Sequence, residues 1–285
     1  MYGGVCMNVK KKVAIMYDFD ETLAPGNMQE YAFIPTLKMS PNEFWQAAAE
    51  FAEKHNMDGI LSYMFISIQM VKEKKLKITR EEFTKQGELI YFFDGVETWF
   101  KRINEYGKKL GLQVEHYIIS CGLKEIVEGT KIAKEFKRIF ACNFAYDEET
   151  KEPIWASQAI NFTSKTQYIY RIRKNKLDKL YDSYELNEYV EDRSTLLPYT
   201  NMIYIGDGET DVPCMKTVKL HGGNSICVYN PKSEKKEKIA KKLFKDGRVN
   251  FIAPADYREN SKIDLIIKDL LTKISLNNKI EAYSK

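Results

Sequence analysis

Asp18-Phe19-Asp20-Glu21-Thr22 follows directly on the apolar run Val13-Ala14-Ile15-Met16-Tyr17. Two carboxylates one residue apart suit nucleophilic or acid–base chemistry better than a core, because crowding or burying them is costly unless a cation or a proton compensates. A strand alternates its faces, but where it ends the chain turns. Both carboxylates can then converge on one point in the crevice beyond a sheet. The same pentapeptide also serves as a helix cap or an Asx-turn after a strand, so the rest of the chain has to decide between them.

Three further fragments bear on that choice. Ile118-Ile119-Ser120-Cys121-Gly122 is a buried-type run ending in a small hydroxyl. Ser120 and the backbone N–H groups after it, at Cys121 and Gly122, could hold a phosphate oxygen, although serine ends many strands. Tyr204-Ile205-Gly206-Asp207-Gly208-Glu209-Thr210-Asp211 again runs from a strand into an acidic turn, with glycines on both sides of Asp207. Asp207 and Asp211 lie four apart, so a helical turn puts both carboxylates on one side; Asp211 can equally cap the short helix that Pro213 opens. Lys165, in Thr163-Ser164-Lys165-Thr166, starts a predicted helix. By itself it reads as a surface charge, but a carboxylate cluster that binds phosphate needs a fixed cation.

The elements that must position these residues follow from periodicity. Val13–Tyr17, Val114–Ile119, Met202–Ile205, Ile226–Tyr229 and Val249–Ala253 are short apolar runs of the kind found in parallel strands covered on both faces. Helical patterns separate them at Thr98–Leu110, Glu234–Phe244 and Ile263–Ile274. Strands alternating with helices predict an α/β fold, a Rossmann-like parallel sheet with helices on both faces. The stretch from Pro25 to Phe93 breaks the rhythm. Ser40-Pro41-Asn42-Glu43 and Thr79-Arg80-Glu81-Glu82 are capping boxes that start helices, and no strand is evident between them. A small all-helical insertion is expected at 25–93, with 1–24 and 94–285 forming the core.

In this order the fragments resemble the four motifs of the haloacid dehalogenase superfamily of phosphotransferases. Asp18-Phe19-Asp20-Glu21-Thr22 matches a DxDxT first motif, Ser120 the second, Lys165 the third, and Gly206-Asp207-Gly208-Glu209-Thr210-Asp211 a GDGxTD fourth. The helical insertion matches the C1-type cap of phosphoserine-phosphatase-like members. The resemblance implies that Asp18 is a nucleophile forming an aspartyl-phosphate and that Asp20 is the general acid, then base. It implies Mg²⁺ held by Asp18, Asp207, Asp211 and the Asp20 backbone carbonyl, with Thr22, Ser120, Cys121, Gly122 and Lys165 around the phosphate. Asp20 itself points to ester hydrolysis, since dehalogenases and phosphonate-cleaving members of the family lack an acid there. Phosphoserine phosphatases carry a glutamate seven residues after the second aspartate; Asn27 stands in that place and Glu30 three further on, which argues against phosphoserine.

Composition sets the limits. At 285 residues, with 44% hydrophobic and 13% aromatic side chains, the chain can bury a large core. A net charge of +4 gives no concentrated basic face for nucleic acid. Lys232–Lys245 is lysine-rich but has one apolar side, so it is expected to be a solvated helix face. Gly59 to Val71, about 13 residues, is too short to span a bilayer of roughly 30 Å. Lys10-Lys11-Lys12 precedes only a short apolar run, so no secretory signal is expected. Five scattered cysteines without a CxxC pair fit a reducing cytoplasm, and three separated histidines give no metal site. Tyr31, Phe33, Trp45, Tyr63 and Phe65 are either a cap-side pocket or core. The expected function is Mg²⁺-dependent hydrolysis of a small phosphorylated metabolite. The alternatives are a phosphomutase or phosphotransferase, a non-catalytic phospho-ligand binding module, and a nucleic-acid-associated protein using Lys232–Lys245.

Overall fold

The computed structural model describes residues 11–192 and 195–283. Cys6 and Lys10 lie outside the described residues. Seven strands form a single sheet: β1 (Lys12–Tyr17), β2 (Gln113–Leu123), β3 (Arg138–Tyr146), β4 (Pro153–Gln158), β5 (Met202–Gly206), β6 (Asn224–Tyr229) and β7 (Phe251–Pro254). Their order is β4-β3-β2-β1-β5-β6-β7, parallel throughout except that β4 runs antiparallel to β3. Val13 to Tyr17 are all fully buried, as a central strand covered on both faces requires.

β1 is the pivot of this topology. The chain moves from β1 outward through β2 and β3 on one side, then returns to the other side of β1 for β5. The crevice beyond the carboxyl ends of β1 and β5 is therefore the place where strand order reverses, the usual ligand position in open α/β sheets. Register brings the expected site residues level there. Tyr17 lies opposite Ile118 on one side and Ile205 on the other, so Asp18, Ser120 and Asp207 all begin just past the paired region.

Between β1 and β2 lie α1 (Phe33–Thr36), α2 (Pro41–His55), α3 (Gly59–Glu73), α4 (Arg80–Gln86) and α5 (Val96–Lys109), and no strand. Both expected capping boxes are present: Ser40 Oγ accepts from Glu43 N at 3.3 Å while Glu43 accepts from Ser40 N at 2.7 Å, and Thr79 pairs with Glu82 in the same way. Asp58 caps α3 through Ile60 N at 2.9 Å. α2 and α3 pack through stacked Phe51 and Phe65, and Phe65 meets Trp155 on β4. The remaining helices are α6 (Lys124–Glu128), α7 (Lys165–Lys174), α8 (Ser183–Asn187), α9 (Val212–Leu220), α10 (Glu234–Lys245) and α11 (Lys262–Tyr283).

The structure extends the sequence reading in three places. β3 and β4 have no counterpart among the expected strands, because β4 is a polar edge with Ile154 and Trp155 largely exposed. β2 continues through Ser120-Cys121-Gly122 to Leu123, and α11 runs nine residues past Ile274 to Tyr283. His116 is a satisfied core histidine: Trp99 Nε1 donates to Tyr17 OH (2.9 Å), Tyr17 OH bonds His116 Nδ1 (3.0 Å), and His116 Nε2 bonds Asn104 (3.0 Å). Burial pushes its pKa down to about 3, so it stays neutral.

Candidate active site

The backbone turns at Asp18 while still tied to the sheet. Asp18 N donates to Ile205 O at 2.9 Å, and Asp18 Oδ1 accepts from Phe19 N at 2.8 Å. Phe19 is fully buried, and its carbonyl gathers the amides of Thr22, Leu23 and Ala24 into a tight turn with Glu21 at φ 55°. Asp20 lies in that turn, and its Oδ1 accepts from Met28 N at 2.8 Å. Gly122 makes this approach possible. A Cβ there would stand 2.1 Å from Met28 Cε and 3.1 Å from Asp20 Oδ2.

On the other side of β1, β5 delivers Asp207 and the turn after it delivers Asp211. Asp207 N donates to Asp211 Oδ2 at 3.2 Å. The value of Gly206 is steric, since a Cβ would lie 2.3 Å from Asp211 Oδ2. Asp18, Asp207 and Asp211 each offer an oxygen within 4.8 Å of the others, and all three are buried. Lys165, fully buried at the first turn of α7, bridges Asp211 Oδ1 at 2.7 Å and Asp18 Oδ2 at 3.0 Å. Tyr204 OH donates to the same Asp211 oxygen at 2.7 Å.

Burial, then the charges of Asp211 and Asp207, push the Asp18 pKa up to about 7 against the pull of Lys165. Burial and the Asp18 charge hold the Asp20 carboxyl well above the usual range, and burial with Asp211 does the same, less strongly, for Asp207. Lys165 loses hydration, yet Asp18 and Asp211 outweigh that and keep it firmly charged.

A cleft of about 380 Å³ opens over this cluster. Of the expected residues, Asp18, Asp20, Ser120, Cys121 and Asp207 line it, while Thr22, Gly122, Lys165 and Asp211 do not. Ser120 Oγ accepts from Gly122 N at 3.0 Å, and Thr22 Oγ1 is a buried hydroxyl without a partner. The Cys121 thiol is pushed up by burial, which makes it a poor nucleophile, and its carbonyl accepts from Tyr63 OH at 2.8 Å. Trp45 and Tyr63 face the cleft from the helical insertion. Phe33 is core between Phe44 and Phe83, Tyr31 packs on Tyr91, and Phe65 belongs to the α2–α3 stack.

One residue reverses its expected role. Lys236, read as part of a solvated face, sets its Nζ 2.6 Å from Asp207 Oδ2. Its neighbours Lys235, Lys238, Lys241 and Lys242 are exposed as expected. The signal was present in the spacing: Lys236 shares one side of α10 with Ile239, Ala240 and Leu243, the side that packs inward. Gln29, Glu209, Thr210 and Phe162 also line the cleft without having been singled out.

Three hard carboxylate oxygens converging from two chain segments suit a hard divalent cation such as Mg²⁺. The carboxylate of Asp20 lies outside that trio. The raised Asp18 value makes a testable consequence. Between the unfolded value near 3.8 and about 7, the folded state keeps a proton that the unfolded chain has released. Without a divalent ion, stability is therefore expected to fall as pH rises through this interval, by about 1.4 kcal/mol per unit for each such proton. Asp264, whose carboxyl is held low by Lys268 and its other partners, titrates below this range and contributes the opposite slope there. Urea unfolding between about pH 5.5 and 7.5, in chelator and in Mg²⁺, checks this. A metal-free stability that rises with pH, or a slope untouched by Mg²⁺, would contradict it.

The model of the family described as haloacid dehalogenase-like hydrolase matches residues 15–216, which span every motif from Asp18 to Asp211. A protein of Borreliella burgdorferi is 30% identical over 284 residues, covering 90% of this chain and 96% of its own. Among solved structures, a haloacid dehalogenase family hydrolase from Salmonella enterica serovar Typhi superposes with a TM-score of 0.54 at 17% identity, covering 90% of this chain and 70% of that one. A phosphoserine phosphatase captured as a phospho-aspartyl intermediate analogue superposes at 0.52 with 16% identity, covering 91% and 99%. At such identities the likeness is one of fold.

Proposed function

The chain belongs to the haloacid dehalogenase-like hydrolase family, and from that premise we propose that it is a Mg²⁺-dependent phosphomonoester hydrolase acting on a small phosphorylated substrate through an aspartyl-phosphate. The observation that carries this is the bridge of Lys165 between Asp18 and Asp211 at the base of the cleft, 3.0 and 2.7 Å away. It orients the Asp18 carboxyl where a phosphoryl group would enter and favours its charged form.

In the first step an Asp18 oxygen attacks phosphorus, and the ester oxygen leaves with the proton of Asp20. In the second, Asp20 takes a proton from water, the water oxygen attacks phosphorus, and the Asp18–phosphate bond breaks to release phosphate. The raised pKa of Asp20 suits the acid of step one, because burial and the Asp18 charge both favour its protonated form. Asp18, Asp207, Asp211 and the Asp20 carbonyl would hold the metal, whose charge offsets the negative charge of the phosphoryl oxygens when it is bound. Thr22, with its unpaired hydroxyl, and Ser120 with the amides of Cys121 and Gly122 supply donors to those oxygens.

The helices of 25–93 act as a cap over the core of 1–24 and 94–285, excluding water and selecting the substrate. A cytoplasmic setting belongs to the same reading, supported by the free thiols of Cys121, Cys142, Cys214 and Cys227. Among the described residues no helix is long and apolar enough to cross a membrane.

The test is release of inorganic phosphate from p-nitrophenyl phosphate and a panel of phosphorylated metabolites. Multiple turnovers that require Mg²⁺ and stop with chelator are expected. Binding of phosphate esters without turnover would replace this reading with a phospho-ligand sensor.

A further inference from the structure

The reactive cleft has a second chamber. A neighbouring cavity of about 510 Å³ shares Trp45, Ile60, Tyr63 and Phe162 with the first, so the two adjoin along the seam between α2, α3 and the segment before α7. We propose that this chamber receives the leaving group of the substrate, and that the leaving group is uncharged and carries a flat ring. The proposal rests on the phosphatase reading and says which ester the site takes.

The walls are aromatic and held in place. Trp45 Nε1 donates to Glu30 Oε1 at 2.8 Å, Tyr63 OH donates to Cys121 O at 2.8 Å, and the two rings meet edge to face at 5.9 Å. Such fixed rings lose little freedom when another ring packs against them. Phe162, at 51% exposure, is a large apolar side chain at the junction of the two cavities that a bound ring would cover.

Charge narrows the choice. Among the described lining residues of both cavities Lys236 is the one cation, and it is engaged with Asp207. Glu21 and Glu209 line the first cavity and Asp58 the second, so a carboxylate or second phosphate on the leaving group would meet no free cation to answer it. Asp58, in the second chamber, is already satisfied by Ile60 N at 2.9 Å and Asn161 Nδ2 at 3.1 Å. At the cleft wall, Gln29 is only 2% exposed and its Oε1 has no hydrogen-bond partner. A hydroxyl or ring N–H on the leaving group would satisfy that buried acceptor.

Benzyl, 4-carboxybenzyl and ethyl phosphates are alcohol esters that separate the ring from the charge. With full-length protein and Mg²⁺, kcat/KM for benzyl phosphate is expected to exceed that for ethyl phosphate by at least about tenfold and that for 4-carboxybenzyl phosphate by about a hundredfold. Phe162→Ala, at a half-exposed position where folding is not at risk, should shrink the benzyl-to-ethyl ratio several-fold. Equal or better turnover of the carboxylated ester, or a ratio indifferent to Phe162→Ala, overturns the proposal. The non-hydrolysable benzylphosphonate and 4-carboxybenzylphosphonate, titrated by tryptophan fluorescence, read the chamber independently of chemistry. Tighter binding of benzylphosphonate without hydrolysis of any ester would sustain the chamber and remove the phosphatase reading; equal binding of the two phosphonates would remove the chamber.

Discussion

Asp18→Asn is expected to lower phosphate release by about 10⁴-fold or more, as loss of a nucleophile does in other covalent mechanisms. The amide keeps the shape of the side chain but has no charge to attack phosphorus. The rest of the site survives the change. Lys165 retains Asp211 at 2.7 Å, and Tyr204 still donates to that carboxylate. The substitution also removes one negative charge from a buried trio that repels itself, so metal-free thermal stability should hold or rise rather than fall. Loss of activity with unchanged or higher Tm distinguishes a chemical defect from unfolding. Acid quenching with labelled substrate should trap phosphoprotein in the parent chain and none in the variant. Activity within tenfold of the parent would exclude Asp18 as the nucleophile.

Asp20→Asn should produce a loss of about 10²- to 10⁴-fold for alkyl phosphates, the range expected for a general acid–base. The loss depends on the leaving group. p-Nitrophenolate departs without a proton, so the first step with p-nitrophenyl phosphate is largely spared. The second step still needs a base, and the aspartyl-phosphate should then accumulate and be trappable. In the proposed mechanism Asp20 does both jobs; it lines the cleft, its Oδ1 accepts from Met28 N, and its carboxylate lies outside the trio. Identical losses for aryl and alkyl esters, with no phosphoprotein trapped, would remove Asp20 from proton transfer and leave it a structural contact to the Met28 amide.

Several parts of this site were legible before any coordinates. The run Val13–Tyr17 announces a central strand because it has no polar side to expose, and the acidic pair at its end reads as a turn or a site until Ser120, Lys165, Asp207 and Asp211 are set beside it. Gly206 and Gly208 around Asp207 mark a tight approach, although the structure shows that only Gly206 is needed for space while Gly208 meets nothing. The capping boxes at Ser40 and Thr79 located two helix starts, since a cap is a local bond between residues three apart. β3 and β4 were not legible. β4 exposes as many apolar residues as it covers, and its place is fixed by pairing with β3 and by α3 lying on it, neither of which leaves a period in the sequence.

What the sequence determined by itself was local: strand ends, helix caps, and the residue types and spacing of Asp18, Asp20, Asp207 and Asp211. What only the tertiary structure decided was which distant side chains meet. Lys165 and Lys236 are both lysines beside helix starts; spacing puts Lys236 on the inward side of α10, but neither segment says which carboxylate its lysine meets. They become partners of Asp211 and Asp207 because α7 and α10 dock where the carboxylates converge, at 2.7 and 2.6 Å. The adjoining chambers around Trp45, Tyr63 and Phe162 arise in the same way, from the α2–α3 pair and a segment far along the chain packing across one seam. Charge pairing and cavity shape depend on through-space distance, and that distance exists only once the apolar faces of separate elements have been buried together.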